Sequence, residues 1–138
     1  MASHPLGAYL PHRGKRKYLP IVQPFFAALD TGDFRAVTST LTLLEVMVQP
    51  LRQGDQNLAR QYREILLRSS SLRTVPLTSE IAEQAAQIRA VANLKTPDAI
   101  QLATALSSGA HVLLTNDTAM PAHSDLQILV LDRLMSAT

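Results

Sequence analysis

His111-Val112-Leu113-Leu114-Thr115 is the stretch that most narrows what this chain can fold into. A short apolar run with no polar residue alternating into it describes a strand covered on both faces. Strands of that kind belong to parallel sheets, whose neighbours are joined by long crossovers, usually helices. The rest of the chain supplies such crossovers. Arg35-Ala36-Val37-Thr38-Ser39 reads as a short strand. A helix follows, capped by Thr40, in which Leu41, Leu43, Leu44, Val46, Met47 and Val48 are apolar nearly all round; Pro50 is expected to stop it. After the loop Gln53-Gly54-Asp55, with Asp55 as cap, a second helix runs from Gln56 to about Arg68 and buries Leu58, Tyr62, Ile65 and Leu66, its arginines outward.

Leu72 to Leu77 is a strand ended by Pro76, and Thr78 or Ser79 caps an amphipathic helix through Ile81, Ala85, Ile88 and Val91. The next helix opens on Thr96-Pro97-Asp98, with Thr96 as N-cap and Pro97 at the first helical position, where its missing N–H costs nothing. Ile100, Leu102, Ala103 and Leu106 are its expected buried face, and Gly109 closes it. Leu126 to Leu131 is a final strand. Upstream, Pro20 to Leu29 reads as a helix ended at Gly32, while residues 1–17 show no legible element. The alternation predicts one α/β domain over residues 1–138, a largely parallel sheet covered by helices on both faces.

Composition removes several function classes. Of the residues 46% are hydrophobic and 17% charged, which suits a soluble globular domain. The absence of cysteine excludes a disulfide framework and a thiolate metal site, and fits a reducing cytoplasm. No apolar run approaches the roughly 18 residues of a membrane span, and Met1-Ala2-Ser3-His4-Pro5 lacks the regions of a signal peptide. The net charge is only +2; Arg13, Lys15, Arg16 and Lys17, and later Arg60, Arg63 and Arg68, permit a phosphate-rich partner without requiring one.

In a doubly wound sheet, ligands bind outside the carboxyl ends of the strands. Three acids are expected there. Asp117 follows the apolar strand by two residues, Asp98 stands in the first turn of its helix, and Glu45 lies about one and a half turns into the helix leaving strand 35–39. Asp98 also reads as a dipole partner for its helix and Asp117 as a turn-former. Glu45 is harder to account for. It is embedded among Leu43, Leu44, Val46 and Met47, with no lysine or arginine within a helical turn, and an unpaired buried charge is costly. Mg²⁺ or Mn²⁺ would supply the missing partner, since both favour oxygen ligands completed by water. Zinc is disfavoured by the lack of cysteine and the four scattered histidines. No phosphate-binding glycine loop, nucleophile elbow or zinc-protease motif competes.

Thr38-Ser39-Thr40-Leu41-Thr42-Leu43-Leu44-Glu45-Val46, Thr96-Pro97-Asp98-Ala99-Ile100-Gln101-Leu102-Ala103 and Leu114-Thr115-Asn116-Asp117 together resemble three successive signatures of the PIN domain family. The likeness runs from about Tyr9 to Leu131 and is greatest to VapC-type toxin ribonucleases of toxin–antitoxin pairs. It implies a three-layer α/β/α fold, acids gathered around Mg²⁺ or Mn²⁺, cleavage of RNA, a cognate antitoxin and a homodimer. By this resemblance Glu45, Asp98 and Asp117 are the second, third and fourth acids, serving as metal ligands and catalytic groups. Thr115 and Asn116 match the polar pair beside the fourth acid, and Thr40 a small hydroxyl residue near the site.

One family signature has no counterpart. The family opens on an apolar strand ending in Asp-Thr, which carries the first acid and lies centrally in the sheet. Alignment through Pro5-Leu6 and Tyr9-Leu10 puts Ala2 at that acid's place, so the chain is expected to start one strand late, with residues 1–17 a truncated or irregular segment. Asp30 and Asp33, flanking a helix end, are poor substitutes. Loss of a central strand is expected to leave its neighbours with exposed edges. Two functional readings follow: a metal-dependent ribonuclease, or a nuclease-dead PIN domain that only binds RNA or a protein. A third, an unrelated doubly wound domain whose acids are caps, rests on the capping chemistry alone.

Overall fold

The computed structural model describes residues 36–117 and 119–131. The expected helix from Pro20, the N-terminal segment with its basic cluster, and the tail from Asp132 lie outside these residues. Within them the order is β1 (Ala36–Ser39), α1 (Thr40–Gln53), α2 (Gln56–Arg68), β2 (Leu72–Val75), α3 (Ser79–Val91), α4 (Thr96–Ser107), β3 (Val112–Thr115) and β4 (Gln127–Val130).

The sheet is four-stranded and parallel throughout, in the order β2-β1-β3-β4. Because successive side chains of a strand point to opposite faces, each strand feeds two cores. Ala36, Leu72, Val112 and Leu114 face α1 and α2, where Val46, Ile65 and Leu66 meet them. Val37, Val75 and Leu113 face α3 and α4, where Ile81, Ala85, Ala99 and Ala103 meet them. The result is the three-layer α/β/α arrangement expected from the sequence. β3 is buried along its whole length, as its unbroken apolar run requires.

The expectation of exposed strand edges is corrected. Among the described residues β1 lies directly beside β3, joined by the pairs Ala36↔Val112 and Val37↔Leu113. β1 and β2 make four pairs, as do β3 and β4, so the central junction has the shortest ladder. Past it the Thr38 side chain takes over. Its hydroxyl lies 2.5 Å from the Leu114 carbonyl oxygen and bridges the strands where their main chains part. Thr38 Oγ1 also bonds Thr42 Oγ1 (2.9 Å), which accepts from Gln101 Nε2 (2.7 Å). Thr38, Thr42 and Gln101 are all buried, so this chain of hydrogen bonds ties β1, α1, α4 and β3 together inside the core.

Helix boundaries depart from expectation in three places. Ser39, not Thr40, caps α1, its Oγ accepting from the Leu41 N–H at 3.0 Å. Pro50 does not stop α1; removing one internal bond is tolerated a turn before the end, and the helix closes at Gly54, whose φ of 69° is left-handed. Nothing lies within 4 Å of where a Cβ on Gly54 would stand, so the need there is conformational rather than steric. Thr96 does not cap α4; that position falls to Lys95, which makes no side-chain capping bond. Asp55 and Thr78 do cap their helices, accepting from the Leu58 and Ile81 N–H groups.

Burial differs as well. In α4 the buried residues are Asp98, Ala99, Gln101, Ala103, Thr104 and Ala105, while Leu106 is exposed. Leu44, Val48 and Leu51 form an exposed stripe on α1, so its nearly continuous apolar surface does not reflect full burial. Val91, 89% exposed, leaves the buried face of α3.

The buried network gives a direct test. Thr42→Val leaves the Gln101 amide N–H buried without its acceptor and is expected to cost about 1–3 kcal/mol. Adding Gln101→Leu should recover most of that loss, because removing both partners is far milder than stranding one. Urea unfolding midpoints of the wild type, single and double variants check this.

Candidate active site

The order in which strands are added to the sheet reverses at the β1–β3 junction. From β1 the chain passes over one face through α1 and α2 to β2, then returns over the other face through α3 and α4 to β3. Such a switch point opens a crevice at the carboxyl ends of the two strands. Three features converge there: the start of α1 after Ser39, the residues following Thr115, and Asp98 near the start of α4.

Asp98 is third in α4, after Thr96 and Pro97. An acid at that position commonly reaches back to cap its own helix. Asp98 instead hydrogen-bonds Asp117. It is only 5% exposed, and its Oδ1 is buried with no hydrogen-bond partner. Burial first, then the bond to Asp117 and its charge, with a smaller contribution from Glu45, push the Asp98 pKa up to about 6; the Lys95 ammonium acts the other way.

Asp117 moves oppositely. The hydrogen bond from Asp98, a second from the Ala119 N–H to Oδ1 at 2.9 Å, and the charge of Lys95 all favour its carboxylate, against burial, and hold it below the usual range. The pair therefore holds one proton, on Asp98, up to about pH 6. Thr115 fixes where Asp117 stands: its fully buried side chain accepts from the Asp117 N–H at 3.2 Å. The turn-forming role of Asp117 is thus real and coexists with its place beside Asp98.

Glu45 is half-buried and makes no ion pair among the described residues. Burial, then the charge of Asp117, raise its pKa, which places it within electrostatic reach of the pair. Thr40 occupies the first position of α1, half-buried, and Asn116 is half-buried between Thr115 and Asp117. Asp98 and Asp117 are in contact, Glu45 faces them at longer range, and among the described residues no three acids or histidines close into a complete metal-holding group.

The donor set nevertheless suits a hard cation. Two carboxylates, one with a buried unsatisfied oxygen, match the way Mg²⁺ is held by one or two carboxylates with water making up the octahedron. PIN domains generally use divalent metal ions, and an all-oxygen site accords with that. Three contributors escaped the sequence reading. Gln101, one turn after Asp98, was hidden in a run of small apolar residues; its spacing from Asp98 was the available signal. Thr42 was masked by the leucines around it, and Lys95 stands immediately before the Thr-Pro-Asp motif.

The PIN domain family model matches residues 21–126, and the chain belongs to that family. A solved toxin–antitoxin complex from Klebsiella pneumoniae contains a chain similar to it, with 28% identity and a TM-score of 0.52, covering 76% of this chain and 88% of that one. No curated protein matches.

Folded stability should report the strained pair. Because the folded state holds the Asp98 proton more tightly than the unfolded chain, stability falls as pH rises from about 4 to about 6, and the penalty is complete above that window. In metal-free protein Asp98→Asn is therefore expected to stabilise by roughly 1–2 kcal/mol at pH 7.5, less than the full shift implies because the two acids titrate together. The gain should vanish by about pH 4. Denaturation of both proteins across this range measures it.

Proposed function

We propose that the protein is a metal-dependent endoribonuclease, the toxin of a toxin–antitoxin pair, acting on RNA in the cytoplasm as a homodimer. The observation that carries this reading is the buried, unpartnered Oδ1 of Asp98 in contact with Asp117 at the switch point of the sheet. Membership of the PIN family and likeness to a chain of a toxin–antitoxin complex support it. No helix among the described residues is long and apolar enough to cross a membrane.

Asp98 and Asp117 would hold Mg²⁺ or Mn²⁺, with Glu45 completing the acidic wall. The bound ion supplies positive charge to a phosphodiester and lowers the pKa of attacking water. Loading the site requires Asp98 to release its proton, so occupancy strengthens as pH rises through about 6. Glu45, without an ion pair among the described residues and with a raised pKa, is the carboxylate best placed to accept a proton from water at Oε1 or Oε2. Lys95, whose charge reaches both members of the pair, attracts the RNA backbone to the same edge. Thr115 keeps Asp117 in place, and Asn116 and Thr40 are the further polar residues at the same edge.

A second reading, a nuclease-dead domain that binds RNA or protein, is favoured by one specific observation. The third acid does not close with the other two into a complete group among the described residues. Cleavage of single-stranded RNA with Mg²⁺ or Mn²⁺ separates the two. For the nuclease, Asp98→Asn and Asp117→Asn should each lower the rate by more than roughly a hundredfold, beyond the usual loss for a group that merely supports a ligand. Equal cleavage by wild type and variants would remove the nuclease assignment.

A further inference from the structure

Asp98 stands where it does because α4 begins where it does, yet that helix has little of its own to fix its start. Lys95 contributes no side-chain cap, and Pro97 has no N–H. Asp98, which could have capped the turn, is engaged with Asp117. The connector 92–95 leads in from α3 with short-range main-chain bonds, Ala92 N–H to Ile88 O and Leu94 N–H to Ala92 O, both 2.8 Å.

The missing restraint comes from the preceding helix. Arg89, in the last turn of α3, donates from Nε to the Leu94 carbonyl and from Nη1 to Thr96 Oγ1, both at 2.9 Å. These two acceptors flank Lys95, the residue from which α4 starts. Among the described residues no other side chain hydrogen-bonds the connector. Arg89 and Thr96 also line a recess of about 490 Å³ whose other walls, Leu77, Ala82, Ala85, Ala86, Ala90 and Ile100, are all apolar.

We propose that Arg89 is a positioning residue for the acidic site: its guanidinium spans the α3–α4 connector, fixes the first turn of α4, and thereby sets Asp98 against Asp117. This rests on the reading of Asp98 as a metal ligand. The planar fork of arginine holds two acceptors at once, whereas a lysine ammonium in its place reaches them as a point charge on a flexible stem. Thr96, the apparent cap of α4, serves instead as the acceptor through which α3 holds α4.

The test uses the full chain, with Mn²⁺ alone as probe, in wild type, Arg89→Ala, Arg89→Lys and Thr96→Val. In metal-free Arg89→Ala, amide exchange should accelerate at Ala99, whose N–H bonds the Lys95 carbonyl, and at Ile100 while remaining unchanged at Ala103–Ala105, with the unfolding midpoint little altered. Mn²⁺ affinity by calorimetry should fall roughly three- to tenfold, less than the loss expected for a direct partner of a ligand. Arg89→Lys and Thr96→Val should each give intermediate losses. Wild-type Mn²⁺ affinity and local exchange retained in Arg89→Ala would overturn the proposal, as would exchange accelerated uniformly along the chain, which marks general destabilisation. If wild type itself binds no Mn²⁺, the metal-site reading fails, and local exchange alone then decides whether Arg89 fixes the helix start.

Discussion

The short ladder between β1 and β3 is the constraint on which the rest of this structure depends. Two residue pairs join these strands at the centre of the sheet, and beyond them the main chains part. Thr38 makes good the lost main-chain bonding by binding the Leu114 carbonyl with its side chain, then passes the connection to Thr42 and Gln101. A buried polar group without a partner costs more than a satisfied one gains, so these residues specify how α1 and α4 meet the sheet. The crevice and the lock that defines its width come from the same few side chains.

That crevice imposes an electrostatic conflict. Two carboxylates are held together on a protein edge where the Lys95 ammonium is the opposing charge that acts on both. The conflict is resolved unequally. Asp117 receives hydrogen bonds from Asp98 and Ala119 and keeps its charge; Asp98, more completely enclosed, holds its proton up to about pH 6. Such divergence between adjacent acids is a familiar property of functional sites, where environment assigns different tasks to identical groups.

The elements were legible in the sequence because their signals are local. The unbroken apolar run of β3 and the caps at Asp55 and Thr78 depend on neighbours within one turn, and the structure agrees with them. Thr96 and Pro50 show the limit of such signals. Both are strong punctuation marks, but the hydroxyl of Thr96 goes to Arg89 on another helix, and Pro50 falls close enough to a glycine-closed end for the helix to run past it. The acids were found individually by their odd surroundings. That Asp98 and Asp117 touch, while Glu45 stands further off, depends on the spacing of three separate elements and could not be read from any one of them. Gln101 escaped notice because burial of an amide becomes reasonable only once its partner across the core is known.

The two faces of the sheet are packed with different materials. Leucine, isoleucine and valine fill much of the space beneath α1 and α2, whereas Ala85, Ala99, Ala103, Ala105 and Ala110 dominate under α3 and α4. Alanine carries no rotamers that can swing aside, so a helix seated on it approaches closely and has no slack to absorb a larger neighbour. Volume added on that face has to be accommodated by moving α4 itself, with Asp98 aboard. Residues that never meet a substrate therefore share custody of the carboxylate, and added bulk is felt at Asp98 from the alanine side of the sheet rather than the leucine side.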